Sequence, residues 1–205
     1  FAGWLYYMNV ASSCGWAKHI VEEFRSAVRF GFSGIHMDTY GFPKRIWDAE
    51  HRPVELADEF PHLINAAAQA VREEAADGGV IFNAVNNWPT ETVAAAAQDA
   101  VYIEVWPPHD TYFDLYRLIR EARLLSHRNV ILAAYLKAFQ GENMDAAERS
   151  FRLAWAVISA SGGTQLVLGE NRSLLRDSYY VNYAHLRESF LPIVQRNCDF
   201  LVRYK

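Results

Sequence analysis

The chain has 205 residues, 51% of them hydrophobic and 21% charged, a balance that supports one sizeable core and excludes a disordered or fibrous polypeptide. A formal net charge of -4, with Lys and Arg scattered singly, offers no basic face to a phosphate backbone, so nucleic acid is not expected as a partner. No apolar run approaches the roughly 20 residues that span a bilayer and no signal-peptide pattern opens the chain, so no membrane partner is expected either.

Taken in chain order, short apolar runs alternate with helical patterns. The runs lie at 4–10 (WLYYMNV), 33–37 (SGIHM), 79–83 (GVIFN), 101–105 (VYIEV), 129–135 (NVILAAY) and 164–168 (TQLVL). Each is continuously apolar, which predicts a strand buried on both faces. Between them, Ile20, Phe24, Ala27 and Val28 recur at helical spacing, as do Leu63, Ile64, Ala67, Ala70 and Val71, and then Leu115, Leu118, Ile119 and Ala122. A longer helical pattern covers about 145–160, just before the last strand. Repeated strand, helix, strand units predict parallel strands joined by right-handed crossovers, as a doubly wound sheet or a (β/α) barrel.

Two features favour the barrel. No Gly-rich phosphate loop follows any strand, as a nucleotide-binding open sheet would show. Polar residues collect at the C-terminal ends of successive strands: Asp38 and Thr39, Asn83 and Asn86, Glu104 and Trp106, Lys137, then Glu170. In a barrel those ends converge on the face where active sites form. Six strands and 205 residues fall short of eight strands and roughly 250 residues, so the expectation is an incomplete α/β (β/α)8 TIM-type barrel. No repeat, low-complexity tract or linker divides it, and residues 1–205 read as one partial catalytic domain.

Cys14 and Cys198 lack CxxC spacing and read as two buried thiols rather than a zinc site or disulfide framework. Asp110, Lys137, Asp177 and Asp199 have no metal-ligand spacing, so no metal and no cofactor are expected. Phe, Trp and Tyr make up 14% of the chain, and aromatic faces beside polar loops suit the apolar faces of sugar rings as well as a core.

Two strand-end carboxylates stand out. Hydrolysis of a glycosidic bond needs one carboxylic acid to protonate the leaving oxygen and a second carboxylate at the anomeric carbon. Asp38 ends GFSGIHMD and Glu104 ends VYIE. An unpaired charge in such apolar surroundings is costly, so each is expected to be paired or used. Asp38 could instead cap a turn through Thr39, Tyr40 and Gly41, and Glu104 could pair with an arginine. Glu104 is the one charge in its strand, an environment that would raise its pKa as an acid catalyst requires.

The stretches GFSGIHMDTYG, VYIEVWPPHDTY, VILAAYL and LVLGENRSLLRDSYYVNYAHL, followed by DFLVRYK, resemble glycoside hydrolase family 66 in family order over nearly the whole chain. The resemblance implies a (β/α)8 barrel, a retaining mechanism and α-1,6-glucan substrates, as in dextranases and cycloisomaltooligosaccharide glucanotransferases. By motif it places the family nucleophile at Asp38 and the family acid/base at Glu104. The run at 4–10 would then be strand three, leaving strands one and two outside this chain. Secretion or a cell-surface location is implied only by the polysaccharide substrate.

Supporting positions are weaker. Asn83 and Asn86 could hydrogen-bond sugar hydroxyls or cap a loop; Trp106 could stack on a ring or anchor the core; Tyr40 could line the cleft beside Asp38. His36 shares a face with Asp38, two residues on, and could orient it or be a core histidine bonded to backbone. Glu170 could bind substrate or pair with Arg172. Two other function classes compete: a glycan-binding or inactive barrel, which would not need an acid at position 104, and a Schiff-base enzyme, for which Lys137 is the one candidate.

Overall fold

A computed structural model describes residues 7–39, 41, 45–166, 173–176 and 183–204. It is a mixed α/β protein with mainly parallel strands in its principal sheet, and it divides into two compact units. The first comprises residues 1–104 and 120–130, the second 105–119 and 131–205.

The first unit opens with helix α1 (Gly15–Phe30). Its apolar stripe, Ile20, Phe24 and Val28, faces the core. Gly31 stops it with φ +119°, a conformation that costs glycine little, while the N–H groups of Gly31 and Phe32 donate back to Val28 and Ala27. Strand β1 (Gly34–Met37) follows, then a hairpin of β2 (Arg45–Trp47) and β3 (Pro53–Glu55), helix α2 (Leu56–Glu74) and strand β4 (Gly79–Asn83). A 3-10 helix (Val85–Asn87) and the short α3 (Thr90–Val93) lead to β5 (Ala100–Glu104).

In this unit β4 lies between β1 and β5 and is parallel to both. Met37 is level with Phe82, and Asn83 with Tyr102. Gly34 is level with Gly79 and packs so closely that a Cβ there would overlap the Gly79 carbonyl. The inner face of α2, Leu63, Ile64, Ala67 and Val71, covers Val80 and Phe82. Ile64 and Phe82 are essentially inaccessible, and burial of side chains this size is worth about 1.5–3 kcal/mol each. Gln98 is buried as well, and its amide is used twice: Oε1 accepts from Phe82 N–H and Nε2 donates to the Val93 carbonyl.

In the second unit helix α4 (Tyr112–Ser126) contributes its first turns, begun by a reciprocal cap in which Thr111 and Asp114 bond each other's backbone and side chain. Strand β6 (Val130–Ala133) and helix α5 (Met144–Ala160) precede β7 (Gly163–Gln165), β6's neighbour, and Leu166 N–H donates to the Leu132 carbonyl. Asn143 caps α5 by accepting from Ala146 N–H. Strands β8 (Ser173–Leu175) and β9 (Tyr183–His185) pair antiparallel, and helix α6 (Leu191–Tyr204) ends the unit. Phe151 and Phe190 meet edge to face in its core. Beside them the buried Glu148 carboxylate is matched by Arg187, as a buried charge requires.

The strands expected around 33–37, 79–83, 101–105 and 129–135, and the helices between them, form close to those bounds. The 4–10 run departs from expectation. Its described residues, 7–10, join no strand, and Val10 satisfies its apolar character by packing on the first unit's core. The last expected strand covers 163–165, and residues 167–172 lie outside those described. β1 is not buried on both faces, since His36 is exposed. Nor are the thiols buried: Cys198 is exposed and Cys14 partly so. The described strands support the coarser class, α/β with mainly parallel strands.

Candidate active site

The sheet register of the first unit dictates which polar side chains meet. Side chains alternate across a strand, so His36 and Asp38 share a face, as do Tyr102 and Glu104. With Met37 level with Phe82, Asp38 follows beside Asn83, and Asn83 is level with Tyr102. Asn83 therefore stands between the two carboxylates at the C-terminal ends of the strands.

Its side-chain amide uses that position on both sides. Asn83 Nδ2 donates to Asp38 Oδ1 at 2.8 Å and to Glu104 Oε2 at 3.0 Å. The two carboxylate oxygens consequently lie within the sum of those distances, about 5.8 Å, of each other. Asn83 itself is 5% exposed, and its Oδ1 is buried with no hydrogen-bond partner among the described residues. Thr39 locks the bend that follows: its N–H donates to Asp38 Oδ1 at 2.9 Å and its hydroxyl to the Asn83 carbonyl at 2.8 Å. Asp38 is exposed and Glu104 half-buried, so one carboxylate opens to solvent while the other lies deeper.

His36 stands on the same face with its ring edge-on to Tyr102, centroids 4.6 Å apart. Although its ring keeps contact with solvent, partial desolvation lowers its pKa from 6.5, and the negative charges of Asp38 and Glu104 offset the effect only in part. The expected consequence is a neutral imidazole at pH 6.5, with a midpoint for its Cε1–H resonance below that pH. In Asp38→Asn the midpoint should fall further, because a charge favouring the imidazolium is lost. Between the native midpoint and 6.5 the unfolded chain binds more protons, so this contribution to stability is lost as pH falls through that window. An NMR titration giving a midpoint at or above 6.5 would contradict the assignment.

Asn86 occupies the 3-10 helix after β4 with φ 54°, a left-handed conformation that Asn tolerates better than most residues. Tyr40 and Glu170 lie outside the described residues. Trp106 belongs to the second unit, with its ring 6.0 Å from that of Tyr135, and lines a cavity of about 310 Å³. Lys137 begins a 3-10 helix (Lys137–Gln140), is exposed, and faces Asp110 at 4.0 Å, an open setting that does not suit a Schiff-base lysine. Sequence reasoning had named Asn83 for sugar hydroxyls and missed its bridge between the carboxylates. The available signal was Asn83 at the end of β4, between the two acids in chain order.

Residues 1–205 match the family described as glycosyl hydrolase family 66. A cycloisomaltooligosaccharide glucanotransferase of Niallia circulans is 30% identical over 146 residues, covering 67% of this chain and 15% of that protein. A dextranase of Streptococcus salivarius is 30% identical over 139 residues, covering 60% of this chain and 16% of the dextranase. Among solved structures, a cycloisomaltooligosaccharide glucanotransferase of Paenibacillus sp., complexed with cycloisomaltoheptaose, superposes with a TM-score of 0.60 at 28% identity, over 64% of this chain and 20% of that one. The chain spans about one sixth of the length of the curated relatives it matches. With a match that runs from its first residue to its last, the chain belongs to glycosyl hydrolase family 66.

Proposed function

We propose that this chain carries the catalytic carboxylates of a retaining enzyme that cleaves α-1,6-glucan, within a (β/α) barrel of which residues 1–205 form part. The observation that supports this reading best is the Asn83 amide bonded to both acids. It holds one oxygen of each acid within about 5.8 Å of the other, which is compatible with the roughly 5–5.5 Å between the carboxyl groups of retaining sites.

In this mechanism an Asp38 oxygen attacks the anomeric carbon as the bond from that carbon to the glycosidic oxygen breaks, and Glu104 gives its proton to the departing oxygen. A glycosyl ester on Asp38 results. Glu104, now a carboxylate, removes a proton from the acceptor, whose oxygen displaces Asp38 and restores both groups. Water as acceptor completes hydrolysis; a sugar hydroxyl gives transfer or, within one chain, cyclisation. The relatives named dextranase and glucanotransferase fit both outcomes. Asn83, donating to each acid, holds their spacing.

The substrate is an oligo- or polysaccharide, and such substrates imply a secreted or cell-surface enzyme. Among the described residues no helix is long and apolar enough to cross a membrane. The direct experiment is release of reducing sugar from dextran, abolished by Asp38→Asn. A folded parent that binds dextran without cleaving it would replace this reading with that of a glycan-binding fragment.

A further inference from the structure

A polar cavity of about 450 Å³ lies wholly within the first unit, at the end of β5 opposite Glu104. Asp99, on its wall, immediately precedes β5, and Glu104 is the last residue of that strand. Five strand residues at roughly 3.3 Å each put about 16 Å between them. Two helices bring cations to this wall: Arg72 from the last turn of α2 and Arg123 from the last turn of α4. His127 and Arg128 follow in the turn to β6, where His127 takes a left-handed φ of 55°. A helix dipole favours one cation at each C-terminus, but it does not account for three guanidinium groups converging on one cavity, where like charges repel. Asp99 is the only acid in the lining, and it is already engaged, accepting from Arg72 Nη2 at 3.1 Å and from Val80 N–H at 2.7 Å. Three arginines against one aspartate concentrate a surplus of two positive charges in a chain whose net charge is -4.

Donors are left over for a guest. Arg72 spends Nη2 on Asp99 and Arg128 spends Nη1 on the Ala94 carbonyl at 3.1 Å, and a guanidinium carries five N–H groups. Among the described residues none bonds the His127 ring or the Asn129 side-chain amide. The charge surplus matches the charge of about -1.5 to -2 on a phosphate monoester at neutral pH, where a carboxylate would bring only one. Guanidinium forks also pair with phosphate oxygens two at a time. The volume falls within the range of small-molecule sites and exceeds what a bare oxyanion fills. A single pocket is too compact for a phosphate polymer, which needs a stripe of cations. We propose that this cavity binds a phosphate monoester of a small polar molecule, with its phosphoryl oxygens on Arg123 and Arg128 and its carrier towards His127 and Asn129. The site uses neither carboxylate of the pair.

The test is titration of the full chain with glucose 6-phosphate, inorganic phosphate, acetate and glucose at constant ionic strength, followed by ¹⁵N NMR. The parent is compared with Arg123→Gln, Arg128→Lys and Asp38→Asn. Arg123 is exposed, so its replacement should keep the fold and serves if Arg128→Lys, which gives up the bond to Ala94, does not. The expected result is saturable perturbation of the Asn129 amide and the Arg128 Nε–H by glucose 6-phosphate. Its affinity should be at least tenfold weaker in each folded arginine variant and unchanged in Asp38→Asn. Inorganic phosphate should bind the same residues more weakly, and glucose should leave them unmoved. Equal affinity in parent and arginine variants would overturn the site. So would shifts that follow acetate as readily as phosphate, perturbation confined to residues near Asp38 and Glu104, or no saturation with either phosphate. Inorganic phosphate binding as tightly as the ester would overturn the carrier, leaving a site for the free oxyanion.

Discussion

Asp38→Ala is expected to lower kcat on dextran by about 10⁴-fold or more, since the step that forms the glycosyl ester then has no nucleophile and only binding and the surrounding electrostatics remain. Glu104→Gln should cost about 10²–10⁴-fold, the usual worth of one positioned acid/base, and should cost least with a substrate whose leaving group needs no proton. Steady-state kinetics on dextran and on an activated aryl glycoside separate the two. Asp38→Ala loses both substrates, whereas Glu104→Gln keeps the first step for the aryl glycoside and accumulates the ester. Asp38 is exposed, so its replacement should leave the fold intact, and circular dichroism melts provide that control. A drop of less than about tenfold in either variant would remove that residue from the chemistry.

The second large effect is expected at Asn83. Asn83→Asp exchanges a donor shared by two carboxylates for a third carboxylate within hydrogen-bond reach of both. Like charges so close favour protonated forms, so the acid limb of the pH–rate profile should move to higher pH and kcat at neutral pH should fall by about 10²–10³-fold. Asn83→Ala removes the donor without adding charge, and should lower kcat with a smaller displacement of that limb. Since Asn83 is buried, both variants should also lose about 1–3 kcal/mol of stability. Loss of stability with kcat and the pH profile unchanged would make Asn83 a purely structural residue.

The sequence's periodicities disclosed much of the fold, because long amphipathic helices such as α2 and continuously apolar strands such as β4 and β5 write their burial into residue spacing. Elements without such spacing stayed hidden. β2 and β3 have three residues each, too few for any pattern, and their hairpin depends on Asp48 accepting from the backbone of Glu50 and Arg52. Of the run at 4–10, the described residues 7–10 form no strand, and Val10 is partly buried by packing on the core rather than by a ladder.

The site was legible in its parts and not in its assembly. That Asp38 and Glu104 end strands follows from the chain alone. That Asn83 stands between them requires the order β1-β4-β5 and the pairing of Asn83 with Tyr102, which no local pattern encodes. His36 shows the same limit. Its parity with Asp38 follows from the strand alone, whereas its ring contact with Tyr102 depends on the sheet order. Trp106, two residues beyond Glu104, lines a cavity in the second unit.

The measurement that bears most directly on the carboxylate pair is the anomeric configuration of the first product released from dextran, followed by ¹H NMR before mutarotation. Two displacements at one carbon, with Asp38 as the intermediate's anchor, give the α-anomer first. The β-anomer appearing first would mean a single displacement by water, and would contradict both the role of Asp38 and the spacing held by Asn83.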